Sequence, residues 1–123
     1  MRIVDANIML RYILGDHKEM SLKARQIIDN QVVNVPIEVL CEVVYVLSKV
    51  YNIERAEISA AINNFFENTE SEIYQRDAVL KGIMLYSEKN LDFVDCILAG
   101  YKIVAGAEIY TFDQKLVNLL NQL

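Results

Sequence analysis

The 123-residue chain predicts an α/β fold, a three-layer α/β/α domain built on a central, mainly parallel sheet. Three observations carry that expectation. Short β-branched runs alternate with longer segments in which apolar residues recur every three or four positions, the order that builds parallel sheets through helical crossovers. One proline and four glycines leave no linker, repeat or low-complexity stretch, so residues 1–123 are expected to form a single domain. With 54% hydrophobic residues, a chain of this size hides roughly two-thirds of its unfolded surface, enough for a core without disulfide or metal staples.

Taken in order, residues 2–5 have strand character and are followed by Ile8, Leu10 and Ile13 before a break at Gly15, Asp16 and His17. Residues 21–30 place Leu22, Ala24, Ile27 and Ile28 at helical spacing, and residues 31–35 form a short β-branched strand. Pro36 suits the first turn of a helix, where its missing N–H costs nothing; residues 37–51 are then apolar around most of the circumference, as in a buried helix. A helix over 54–68 carries Ile58, Ala61, Ile62, Phe65 and Phe66 on one side, a stripe that reads either as further core or as a groove or dimer face. A strand over 72–75 and a helix over 77–89 follow. Asp92 is placed to cap a helix over 93–105, residues 107–112 read as a last strand, and 113–120 close the chain as a helix with Leu116, Val117, Leu119 and Leu120.

Composition excludes several function classes. The longest uncharged stretch, residues 58–66, is far short of a bilayer span, and a charge at Asp5 with no apolar run behind it argues against a secretory leader, so the cytoplasm is the expected compartment. Cys41 and Cys96 stand far apart in apolar surroundings and His17 is the only histidine, which leaves no Cys/His zinc set and reads both thiols as reduced core residues. The 17 acids outnumber 12 basic residues, a net charge of −5, which disfavours a nucleic-acid binder relying on Lys and Arg alone. Any nucleic-acid chemistry in this chain needs a bound cation.

Four carboxylates interrupt strongly apolar segments: Asp5, Glu42, Asp95 and Asp113. Burying an unpaired carboxylate is costly, and few basic residues are near in sequence, so a shared metal accounts for all four together. Asp5 and Asp113 fall where predicted strands end, the edge at which open α/β sheets bind ligands. Asp95 lies in the first turn of a helix, where the dipole favours an anion. Glu42 sits just over one turn into the buried helix, ahead of its rival Glu38, which is nearer the helix start. Asp113 also has the ordinary explanation of an N-cap. All-oxygen ligands suit Mg²⁺ or Mn²⁺, and the chemistry such ions support is phosphodiester hydrolysis by activated water.

Those residues carry a resemblance. Val4-Asp5-Ala6-Asn7-Ile8, Glu42-Val43-Val44-Tyr45-Val46-Leu47, Phe93-Val94-Asp95-Cys96-Ile97-Leu98-Ala99 and Thr111-Phe112-Asp113 together resemble the PIN-domain ribonucleases, specifically the VapC-like toxins of toxin-antitoxin pairs, over essentially the whole chain. The resemblance implies a PIN fold, an Mg²⁺- or Mn²⁺-dependent endoribonuclease acting on RNA, a small VapB-like antitoxin as partner and a homodimer. By position it makes Asp5, Glu42, Asp95 and Asp113 the metal-binding, catalytic acids, with Asn7 and Thr111 orienting them by hydrogen bonds. Two positions depart from the pattern: Ala6 stands where a hydroxyl residue is common, and Leu116 where an aromatic is common. Two other readings stay open on sequence, a catalytically silent PIN-like module that binds a metal or protein, and a nuclease acting on DNA.

Overall fold

Asp5 opens a helix instead of merely ending a strand. In the computed structural model, which describes residues 1–123, its carboxylate accepts a hydrogen bond from the Ile8 N–H at 3.0 Å and starts α1 (Ala6–Leu14). This helix is absent from the sequence expectation, although Ala6, Met9, Leu10 and Ile13 follow the i, i+3, i+4, i+7 rhythm of an amphipathic helix and the first three are buried. The β-branched pair Ile3 and Val4 drew the reading towards a strand; what forms there is one parallel bridge, Ile3 to Asn34.

The chain divides into two compact units, Met1–Tyr74 and Gln75–Leu123. In the first, α1 is followed by α2 (Lys18–Asp29), β1 (Val33–Asn34), α3 (Ile37–Lys49), α4 (Arg55–Asn68) and β2 (Ser71–Glu72). The two strands pair in parallel, Val33 opposite Ser71 and Asn34 opposite Glu72, so the fold is α/β with helix predominating and the sheet small. Further backbone bonds run from Asn34 N to Arg2 O at 2.6 Å and from Val35 N to Glu72 O at 2.8 Å, and they place the first residues, β1 and β2 side by side. The α1 helix packs on α2 and α3, and α3 on α4, around Met9, Leu40, Val43, Leu47, Ile62 and Phe66. The stripe Ile58, Ile62, Phe65 and Phe66 is buried and therefore core, not an open dimer face. Phe65 stands edge-on to both Tyr12, at 5.4 Å between ring centres, and Phe66, at 5.3 Å.

Polar ties fix the C-terminal end of α1. Arg11 reaches Asp16 at 2.7 Å and donates to the Tyr51 hydroxyl at 3.0 Å, which joins the end of α1 to the segment after α3. The Tyr12 hydroxyl donates to Asp29 on α2 at 2.6 Å. Burial and that bond push the Tyr12 phenol up to about 12.

The second unit holds α5 (Arg76–Glu88), α6 (Phe93–Ala105) and α7 (Gln114–Asn121). The α5 and α6 helices approach closely through two glycines. A Cβ on Gly100 would run into the Ala78 carbonyl oxygen, and one on Gly82 would lie 2.8 Å from the Ile97 Cα. Tyr86 and Phe93 meet edge-on at 5.4 Å, and α7 packs Leu116 and Leu119 inward. The strand expected over 107–112 does not form. Half-buried Ala107, Ile109 and Thr111 still alternate with exposed Glu108, Tyr110 and Phe112, the side-chain pattern of a strand without a hydrogen-bonded ladder. No helix is long and apolar enough to cross a membrane.

Candidate active site

Within the first unit the acids stand at a helix start and on a helix face. Asp5 is exposed, and because one carboxylate oxygen caps α1, the other is left for a ligand. Asn7 is exposed in the first turn of the same helix. Glu42 and, one turn before it, Glu38 are both exposed on α3, whose buried positions are Leu40, Val43, Val44 and Leu47. Between them the half-buried Cys41 thiol is pushed up by burial and by the Glu38 charge, so it stays a neutral packing residue.

The second unit gathers its acids more tightly. Asp113 is the N-cap of α7: its carboxylate accepts from the Leu116 N–H at 3.1 Å, and its own N–H donates to the Thr111 hydroxyl at 3.0 Å. Thr111 thus fixes the backbone that carries Asp113. Asp95, in the first turn of α6, is half-buried, and its carboxyl is raised from its ordinary value by burial first, then by the charges of Asp113 and Asp92. Asp95 thus feels two other acids of its own unit. Asp92 occupies the N-cap position of α6 but makes no capping hydrogen bond with its side chain. On sequence this residue reads first as a cap and second, three residues before Asp95, as an acid able to reach the site through water, and it therefore stands outside the acid set.

The structure also corrects the burial argument made from sequence. Asp5, Glu42 and Asp113 are exposed, and only Asp95 bears a burial cost. The two aspartates that cap with their side chains, Asp5 and Asp113, have a complete structural reason to be where they are. Capping and ligation are nevertheless compatible, because a carboxylate has two oxygens and a cap occupies one.

Within neither unit do three carboxylate, thiol or imidazole groups gather into a ready-made metal cage. The donor chemistry of the second unit still fits a hard divalent cation. Its acids offer only oxygen, and a carboxyl raised by burial and two like charges is relieved by a positive ion placed among them.

The fold and these acids define a class, which comparison with known proteins makes explicit. The PIN domain family model matches residues 2–119, and the chain belongs to that family. A VapC ribonuclease of Aquifex aeolicus (strain VF5) is 24% identical to it over 107 residues, covering 79% of this chain and 75% of that protein. No solved structure gives a significant match.

Proposed function

We propose that the protein is an endoribonuclease of the VapC-like toxin type, which hydrolyses RNA phosphodiester bonds with the help of Mg²⁺ or Mn²⁺. Membership of the PIN family and the likeness to a VapC ribonuclease support a nuclease, and the observation that carries the reading furthest is the half-buried Asp95 carboxyl, raised by burial first and then by the charges of Asp113 and Asp92. Groups whose charges are held in opposition without relief are typical of sites that bind a cation or poise a proton. Asp95, Asp113, Asp5 and Glu42 are assigned to hold the ion. A bound Mg²⁺ or Mn²⁺ supplies an activated water and neutralises charge on the phosphate.

The rest falls to the chain. Thr111 and the α7 backbone hold Asp113 with one oxygen engaged and one outward, and the α1 N-terminus holds Asp5 in the same manner. Such fixed carboxylates need no reordering when a ligand arrives. In the reaction the water oxygen bonds to phosphorus, the bond from phosphorus to the 3′ oxygen breaks, and the products are a 5′-phosphate and a 3′-hydroxyl that takes up a proton. Asn7 is assigned to orient Asp5. The expected partners are RNA, a small VapB-like antitoxin and a second copy of the chain, acting in the cytoplasm. Family membership across residues 2–119 supports reading the chain as one PIN domain of the three-layer α/β/α type.

The test is cleavage of purified total RNA. Wild-type protein with Mg²⁺ or Mn²⁺ cuts it, EDTA stops the reaction, and Asp5→Asn, which keeps the α1 cap, lowers the rate by on the order of 100-fold. Equal activity in Asp5→Asn or in EDTA overturns the assignment, and cleavage of DNA in preference to RNA moves the substrate.

A further inference from the structure

Between the strand-like residues 107–112 and the helices α6 and α7, the second unit holds a cavity of about 190 Å³. Ile109 and Thr111, two of the half-buried positions of that run, form one wall. Val117, Leu120 and Asn121, which are i, i+3 and i+4 on α7, form another, and Lys102 in the last turn of α6 completes the lining. Its polar groups have hydrogen-bonding capacity to spare. Lys102 makes no ion pair, and the Asn121 carboxamide makes no hydrogen bond. The Thr111 hydroxyl accepts from the Asp113 N–H at 3.0 Å and keeps its own proton uncommitted. No acid lines the cavity.

This lining sets the chemistry of a ligand. The single positive charge of Lys102 balances a single negative one, and donors from Asn121 and Thr111 suit the two oxygens of a carboxylate. Ile109, Val117 and Leu120 need an alkyl part to cover them. At roughly 30 Å³ for each water-sized group, the volume holds about six non-hydrogen atoms. We propose that this cavity binds a free short-chain monocarboxylate of about the size of butyrate. An RNA strand is too large for it, and inorganic phosphate brings more than one charge near neutral pH and no apolar surface. The cavity keeps this role whether or not the chain cuts RNA, and it meets the candidate active site at one bond. When the Thr111 hydroxyl donates its proton to the ligand, its oxygen becomes a better acceptor, and its hold on the Asp113 N–H tightens.

The probe is sodium butyrate, titrated into isotope-labelled full-length protein at constant ionic strength and followed by NMR, with acetate, propionate, hexanoate and inorganic phosphate as comparisons. The amide signals of Ile109, Thr111, Asp113 and Asn121 are expected to shift and saturate with a dissociation constant on the order of 1 mM, and the Asp113 amide proton to move downfield. Affinity rises roughly 4-fold with each methylene from acetate to butyrate and stops rising at hexanoate, where the cavity is full. Lys102→Met, which keeps an apolar stem and removes the charge, weakens butyrate about 10-fold, and Asn121→Ala about 3-fold. Asn121 is exposed, so its variant carries the test if Lys102→Met does not fold. Shifts that do not saturate, equal affinity for acetate and butyrate, tighter binding of phosphate than of butyrate, or unchanged affinity in the variants each overturn the proposal. Displacement of butyrate by poly-glutamate at equal carboxylate concentration overturns it too, and moves the occupant to an acidic chain.

Discussion

Asp113 does two jobs with one side chain, and they can be separated chemically. Its capping bond to Leu116 survives in Asp113→Asn, because asparagine is as good an N-cap as aspartate, but is lost in Asp113→Ala. Urea unfolding is expected to show Asp113→Asn near wild type and Asp113→Ala less stable by about 1 kcal/mol, while both lose RNA cleavage. Loss of cleavage in the alanine variant alone would leave Asp113 a cap and nothing more. The cap was legible in sequence as an aspartate between a strand-like run and a helix; that Asp92 does not cap was not, since the choice depends on side-chain placement. A second residue carries a pH signature. The Tyr12 phenol sits at about 12 in the folded chain against an ordinary value near 10, so the protonated form is favoured by folding. The stability it confers is complete below pH 10 and is lost as pH rises from 10 to 12. Tyr12→Phe, which has no proton to lose, is expected to show a smaller fall in stability over that range, measured by denaturant unfolding at each pH.

At the scale of elements, the α5 and α6 pair rests on the absence of two side chains. Gly100→Ala places a methyl group against the Ala78 carbonyl, a backbone atom that cannot step aside, and is expected to cost about 1–3 kcal/mol in unfolding free energy. Gly106→Ala is a different control: nothing crowds a Cβ there, but its left-handed backbone at φ 69° disfavours a side chain. Thermal unfolding that leaves Gly100→Ala at the wild-type midpoint would contradict the close packing. Helix α6 was read from sequence with both ends right, because Asp92 and Gly106 mark its limits locally. The α1 helix was missed because Ile3 and Val4 favour a strand and the helical rhythm begins only at Ala6. Residues 107–112 show the opposite failure. Their alternation is present in the folded chain, but a ladder needs a partner elsewhere, and a single sequence does not state which segment pairs with which.

For the molecule as a whole, the charge of −5 is unevenly placed. Within the second unit the charges of Asp113 and Asp92 act on the half-buried carboxyl of Asp95. Family membership spans both compact units. The central claim is that Asp95 and Asp113, both of the second unit, serve one step of the proposed reaction. Side chains that serve one step are not additive, so removing a second member costs little once the first is gone. The measurement is the rate of RNA cleavage in Mg²⁺ or Mn²⁺ for wild type, Asp95→Asn, Asp113→Asn and the double variant. Each single substitution is predicted to lower the rate by on the order of 100-fold and the double variant to be no slower than the slower single one. A double variant whose loss is the product of the two single losses, or a single variant that cuts RNA at the wild-type rate, would contradict it.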